Sequence, residues 1–115
     1  MTNCIFCRIA AGEIPASIVK RTADAVAFRD LNPQAPTHVL VIPTLHLSSM
    51  SEVVSDQAEL AIGRAMRLAA EVAADLGVAQ SGYRLVVNTG RDGGQSVDHV
   101  HVHLLAGRRL GWPPG

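Results

Sequence analysis

His99-Val-His-Val-His-Leu-Leu105 is the stretch whose reading decides the fold. Strict alternation of His with Val or Leu predicts a β-strand, because successive strand side chains point to opposite faces. Val100, Val102 and Leu104 then face the core, and His99, His101 and His103 line the other face. Alternate residues on one face are about 6.6 Å apart, so His99 and His103 are separated by about 13 Å unless the strand bends sharply. One metal ion cannot be reached from both ends of such a row, since zinc ligands lie about 2.0–2.1 Å from the ion. Three of the chain's five His fall on this one short face, which favours a functional row over a solvated one. The three imidazoles therefore have different tasks.

The strand is fed by Asn88-Thr-Gly-Arg-Asp-Gly-Gly-Gln-Ser96. Gly90, Gly93 and Gly94 let backbone approach a ligand, and successive amides in such a loop form a nest for an anion. Ser96 adds a hydroxyl. A glycine-rich connector alone is commonly just a tight loop, but this one delivers its amides beside His101 and His103. A phosphate between loop and strand suits both. Imidazole itself is a nucleophile for such a phosphate, since neutral His, with a pKa of about 6.5, keeps a lone pair at cellular pH. One imidazole can attack while a neighbour orients or donates a proton. The chain lacks a P-loop Lys and a dense carboxylate cluster for two magnesium ions, which argues against kinase or polymerase chemistry. Ser96 lies outside any Gly-x-Ser-x-Gly, so serine hydrolase chemistry ranks low.

Working outward, Asp56 to Leu76 reads as one long helix. Ala61, Ala65, Leu68, Ala69, Val72 and Leu76 form an apolar stripe. Asp56 and Glu59 resemble a capping box, and Gly77 suits a left-handed stop. Residues 18–21, 25–30, 38–42 and 83–88 read as further strands, and residues 4–12 as a short helix ended by Gly12. Two prolines in Trp112-Pro-Pro-Gly prevent a regular helix, so the tail is expected to lie across a surface with Trp112 as its anchor. Strands with hairpin-length connections, then a helix, then strands predict an α+β domain with an antiparallel sheet of about five strands. Neither a repeat nor a second domain boundary is visible, so residues 1–115 are expected to form a single domain.

With 115 residues, 48% hydrophobic and 17% charged, the chain can bury a core without disulfides and is not a disordered composition. Ten basic and ten acidic residues cancel, leaving no electrostatic case for nucleic acid or an anionic membrane as partner. No apolar run approaches the roughly 20 residues of a membrane span. The N-terminus shows no signal-peptide h-region, so the expected setting is the reducing cytoplasm. Cys4 and Cys7 have three readings at this point: packed residues of a short helix, half of a structural zinc set, or a redox pair. His46 and His99 are the candidates to complete Cys2His2.

Cys4-Ile-Phe-Cys-Arg-Ile9, Glu13-Ile-Pro-Ala16, Phe28-Arg-Asp-Leu-Asn-Pro-Gln-Ala-Pro-Thr-His38, the segment Asn88 to Ser96, the triad and the closing Trp112-Pro-Pro-Gly115 act as one signature. Together they resemble the histidine triad (HIT) superfamily and, within it, the Hint branch of nucleotide-binding proteins. The likeness runs over essentially the whole chain. It implies a HIT-like fold and a purine nucleoside phosphoramidase, which releases an amine and a nucleoside monophosphate from adenosine or guanosine 5′-monophosphoramidates. It implies His101 as the nucleophile that forms a nucleotidyl-histidine, with His103 and Asn88 at the phosphate and His99 supporting His101 from outside. Gly94, Gln95 and Ser96 would cradle the α-phosphate, with Ser96 counted among the catalytic residues. Asp30 would bind the ribose hydroxyls, and Leu31, Ile5, Phe6 and Ile9 would lie near the base. His38 would hydrogen-bond within the His network. Similar members are homodimers in which the tail of one subunit approaches the active site of the other, which makes Trp112 a specificity element.

No cofactor is expected. Some family members carry zinc at the cysteine pair and others with the same residues do not. The expectation here is no metal, because His99 is also wanted beside His101 and a helix-borne Cys4 and Cys7 pack equally well as small apolar groups. Two further functions stay open, a diadenosine polyphosphate hydrolase of a sister branch and a nucleotide-binding scaffold with incidental hydrolysis. The Trp-Pro-Pro-Gly ending weighs against the first. Asp98 stands where the family often has an aromatic residue or Pro, and by alternation it faces away from the His row.

Overall fold

The structure is a computed structural model that describes residues 3–115. In chain order the elements are α1 (Ile5–Ala10), β1 (Ile18–Arg21), β2 (Ala25–Arg29), β3 (Thr37–Pro43), a 3-10 turn (Met50–Glu52), α2 (Asp56–Asp75), β4 (Tyr83–Val86), α3 (Gly90–Gly93) and β5 (Val102–Ala106). The strands form one five-stranded sheet in the order β1-β2-β3-β5-β4, with every neighbouring pair antiparallel. This is the expected α+β class. Among the described residues no helix is long and apolar enough to cross a membrane.

The sheet has a helix on each face. Val39 and Val41 of β3, Val102 and Leu104 of β5, and Ala25 and Ala27 of β2 pack against Ala65, Leu68, Ala69, Val72 and Ala73 of α2. Small residues on that helix stripe let it lie close to the sheet. On the opposite face Leu40, Ile42, Val26 and Phe28 pack against Phe6 and Ile9 of α1. Because side chains alternate along a strand, β3 and β5 supply apolar residues to the α2 face and histidines to the α1 face.

The C-terminal ends of α1 and α2 follow one rule. Past α2, Gly77 has φ +74°, its N–H donates to Ala74, and the Val78 N–H donates to Ala73. Past α1, Gly12 has φ +78°, with Gly12 N–H on Ile9 and Glu13 N–H on Arg8. These are Schellman closures, in which a left-handed glycine satisfies the last carbonyls. The start of α2 corrects the sequence reading. Ser55, not Asp56, is the cap: its backbone is extended and its side chain accepts from the Ala58 N–H at 3.1 Å. A one-residue shift puts Ala58 where a capping box needs Glu, so no box forms.

The histidine stretch is also corrected. β5 begins at Val102, so His99 and His101 precede the ladder. The Val100 N–H donates to Leu47 at 2.8 Å and the His99 N–H to Val97 at 2.9 Å, which turns the chain off the line of the sheet. Val100 is still buried, but against Leu47 and Ala58 in a separate cluster. Strand β4 ends at Val86, short of Asn88, and residues 90–93 form a helical turn inside the expected loop.

Candidate active site

His38 and Leu40 share a face of β3, and His103 on β5 sits opposite Leu40. His38 and His103 are thus diagonal neighbours, with the Nε2 of His38 2.9 Å from the Nδ1 of His103. The direction of that bond follows from the other nitrogen of His38. The backbone N–H of Gln34 donates to His38 Nδ1 at 3.0 Å, so Nδ1 is unprotonated and Nε2 carries the hydrogen. His38 therefore donates to His103 Nδ1, and neutral His103 holds its proton on Nε2. That Nε2 is buried and has no partner among the described residues. Buried polar atoms without partners are rare, and this one is a donor awaiting an oxygen. Burial pushes the His103 pKa down to about 4, with His101 and His38 adding to the shift and Asp30 opposing it. Burial also lowers His38, again against Asp30. Both rings are neutral at pH 7. Asp30 lies behind them, with Oδ2 3.4 Å from His38 Nε2 and Oδ1 accepting from the Asn32 N–H at 2.8 Å.

His101 has the opposite tautomer. Its Nδ1 donates to the carbonyl oxygen of His99 at 2.8 Å, which leaves the lone pair on Nε2. That Nε2 makes no hydrogen bond among the described residues. Phe6 meets the His101 ring edge-on at 5.1 Å and is itself backed by Phe28, whose ring lies 5.5 Å from that of Phe6. The His101 and His103 rings are 5.0 Å apart. A lone pair and a proton donor thus stand side by side.

His99 is fully buried and points its ring away from that pair. Its Nε2–H donates to the Pro43 carbonyl at 2.8 Å, so Nδ1 is a lone pair. This Nδ1 lies 3.3 Å from Cys4 Sγ, 3.5 Å from Cys7 Sγ and 3.1 Å from His46 Nδ1, while Cys7 Sγ is 3.2 Å from His46 Nδ1. All four donor atoms fall within 4.8 Å of one another. A tetrahedron with nitrogen about 2.05 Å and sulfur about 2.3 Å from its centre has edges of about 3.3–3.8 Å. The donor set fits a divalent ion of the zinc class. The ground for expecting no metal was that His99 is wanted at His101. The fold removes that conflict, because the ring of His99 serves the cysteines and its carbonyl serves His101.

The glycine segment differs from the expected nest. The amides of Gly94 and Gln95 donate to the carbonyls of Arg91 and Gly90, closing α3. The Gln95 carboxamide is engaged as well, accepting from Gly90 N–H at 3.0 Å and donating to Ser48 at 2.6 Å and Val97 at 2.9 Å. Gln95 is a brace that ties this segment to the chain after β3. Among the described residues the Ser96 amide and hydroxyl have no hydrogen-bond partner, and neither does the Asn88 carboxamide. Asn88 lies two residues beyond Val86, whose pairing with His103 is the last of the β4–β5 ladder. Of the apolar group assigned to a base, Ile5 and Leu31 are 47% and 99% exposed, whereas Phe6 and Ile9 are buried in the core between α1 and the sheet. Trp112 is 83% exposed and does not anchor the tail on its own chain. The Arg84 guanidinium holds the tail instead, donating to the Gly111 carbonyl at 2.7 Å. Spacing gives no warning of Gln34 and Pro43, whose backbone groups set the tautomers of His38 and His99, because a backbone atom carries no residue-type signal.

A family model, the HIT domain, matches residues 11–110. A purine nucleoside phosphoramidase of Escherichia coli strain K12 is 49% identical over 107 residues, covering 93% of this chain and 89% of the relative. A HIT family hydrolase from Legionella pneumophila superposes with a TM-score of 0.93 at 46% identity, covering 98% of this chain and all of that one. A histidine triad nucleotide-binding protein from Candida albicans gives a TM-score of 0.74 at 34% identity, over 96% of this chain and 83% of its own. With a family model over most of its length and relatives at this identity, the chain belongs to the HIT domain family.

Proposed function

We propose that this chain is a purine nucleoside phosphoramidase that works through a nucleotidyl intermediate on His101. The observation that carries the reading is the His101 Nδ1–H bond to the His99 carbonyl, which leaves Nε2 as an oriented lone pair beside a buried donor, His103 Nε2. The name of the Escherichia coli relative supplies the substrate class. His101 Nε2 attacks phosphorus, the P–N bond breaks, and the amine departs with a proton drawn from solvent through the Ser96 hydroxyl. Water then cleaves the phosphorus–imidazole bond, giving its hydroxyl to phosphorus and a proton back to solvent, which releases the nucleoside 5′-monophosphate and restores neutral His101. His103 Nε2–H stabilises the phosphoryl oxygens, a role in which a preoriented donor is worth more than solvent. Asn88 and the Ser96 amide complete the phosphate site, and the Ser96 hydroxyl serves the leaving nitrogen. Gly94 shapes the turn and Gln95 holds it. Asp30 takes the ribose hydroxyls, and Leu31 and Ile5 flank the base over the floor made by Phe6 and Ile9.

The reading extends to the whole particle. Residues 1–115 act as one domain in the cytoplasm, as a homodimer whose Trp112 packs by the partner's site. The 83% exposure of a Trp at the end of a tethered tail supports this, since aromatic anchors favour interfaces. A substrate panel tests the activity. Adenosine and guanosine 5′-monophosphoramidates should turn over faster than diadenosine polyphosphates. Preference for the dinucleotides would assign the chain to the sister activity, and binding without turnover would leave only a nucleotide-binding scaffold.

A further inference from the structure

We propose that Arg108 is a positioning residue of the active site, whose guanidinium on the Gln34 carbonyl holds the loop that sets the tautomers of His38 and His103. This deepens the reading of the site given above and rests on it. Both groups that decide where the His38 proton sits lie on residues 30–34. The Gln34 N–H donates to Nδ1 on one side, and the Asp30 carboxylate lies 3.4 Å from Nε2 on the other. The loop is knitted within itself, with the Asn32 N–H on Asp30 Oδ1 at 2.8 Å and the Gln34 side-chain amide on the Asn32 carbonyl at 3.0 Å. Packing does little to fix it, since Leu31, Asn32, Pro33 and Gln34 are exposed and Ala35 alone of residues 31–35 is buried. Among the described residues, the one hydrogen bond that reaches residues 31–35 from outside residues 30–38 comes from Arg108, whose Nη2 donates to the Gln34 carbonyl at 3.0 Å.

The fold places Arg108 for this task. Gly107 passes so close to Pro36 that a Cβ would meet Pro36 Cβ at 2.7 Å, which lays the next residue beside the loop. The guanidinium then spans two carbonyls, with Nη2 on Gln34 and Nη1 on Arg109 at 3.2 Å. A planar fork with fixed donors suits that span better than an ammonium, which is a point charge on a flexible stem. Without the tie, the loop draws the Gln34 N–H away from His38 Nδ1. Through exchange with solvent His38 then holds its proton on Nδ1, which turns a lone pair on Nε2 towards His103. Two lone pairs facing at 2.9 Å repel, so His103 in turn carries its hydrogen on Nδ1. Its Nε2 becomes a lone pair that repels phosphoryl oxygens instead of donating to them. Asp30 shifts with the same loop, so the sugar is read less sharply. Arg108 itself touches neither the substrate nor the reacting atoms in this scheme.

The test compares the full chain with Arg108→Met, Arg108→Lys and Arg109→Met. Arg108 is exposed, so its replacement disturbs little core. NMR of 15N-histidine reports the tautomers of His38 and His103 without substrate. Arg108→Met should give mixed tautomers at both rings and a smaller preference for AMP over 2′-deoxy-AMP. On adenosine 5′-monophosphoramidate its kcat should fall by about tenfold. Arg108→Lys, which keeps a charged donor on a long stem, should recover part of each. Arg109→Met removes the neighbouring charge and should leave all three as they are. Should Arg108→Met not fold, Arg108→Gln carries the same expectations, because its amide nitrogen stops two bonds short of the position of Nη2. Unchanged tautomers in the folded variant overturn the proposal, as does an equal loss in Arg109→Met, which would make the effect one of net charge. Mixed tautomers in a protein that turns over no phosphoramidate support the positioning role and count against the phosphoramidase reading alone.

Discussion

His38 Nε2 sits 2.9 Å from His103 Nδ1, and this single bond decides which nitrogen of His103 faces the site. With Gln34 donating to His38 from behind, the relay runs from a backbone amide through two imidazoles to a buried N–H. A donor whose proton is dictated by the fold costs no reorganisation when charge develops on a phosphoryl oxygen.

The low His103 pKa has a stability consequence with a definite sign. Below the ordinary His value of about 6.5, the unfolded chain takes up a proton that folded His103 refuses until about pH 4. In that window the unfolded state binds more protons, so stability falls as pH drops from about 6.5 towards 4 and is insensitive to this group at higher pH. An NMR titration should place the His103 midpoint near 4, and the urea midpoint should be lower at pH 5 than at pH 7. A His103 midpoint at 6 or above would contradict the burial argument.

Asp30 is the proposed reader of the sugar. Its Oδ1 is held by the Asn32 amide, which aims the carboxylate. Asp30→Asn should weaken AMP binding more than 2′-deoxy-AMP binding in calorimetry. Equal losses would remove the 2′-hydroxyl from its role.

Gly107 closes β5 where the chain passes Pro36. Its φ is +95°, and a Cβ there would lie 2.7 Å from Pro36 Cβ. A left-handed L-residue costs about 1–2 kcal/mol before any clash is counted. Gly107→Ala should therefore lower the melting temperature by several degrees in calorimetry. An unchanged melting temperature would show that the turn relaxes freely.

The fold was readable where one periodicity served one purpose. The α2 stripe, the left-handed stops at Gly12 and Gly77, and the buried apolar run of β3 all follow from local patterns that tertiary contacts reinforce. The triad misled on geometry because its alternation is strand-like at His99 and His101, yet the His99 and Val100 amides bond to Val97 and Leu47 off the ladder. The Ser55 cap was missed because Asp56 is an equally good cap by residue type, and only backbone angles separate them. Cys4, Cys7, His46 and His99 were identifiable as a donor set. Their convergence was not, since it depends on α1 crossing the sheet beside the turn before β5.

The tail prediction separates assembly from chemistry. Deletion after Leu110 should alter the ranking of leaving amines while turnover through His101 persists, and sedimentation of the full chain should show a dimer at micromolar concentration. A fully active monomer would defeat both the dimer and the role of Trp112.

Rapid quenching of the chain with adenosine 5′-monophosphoramidate, followed by peptide mass spectrometry, tests the central claim most directly. The account predicts an adenylyl group on the peptide containing His99, His101 and His103, absent in His101→Ala, which should lose turnover by several orders of magnitude while still binding AMP. Undiminished turnover in His101→Ala, or an adduct that persists there on another residue, would contradict it.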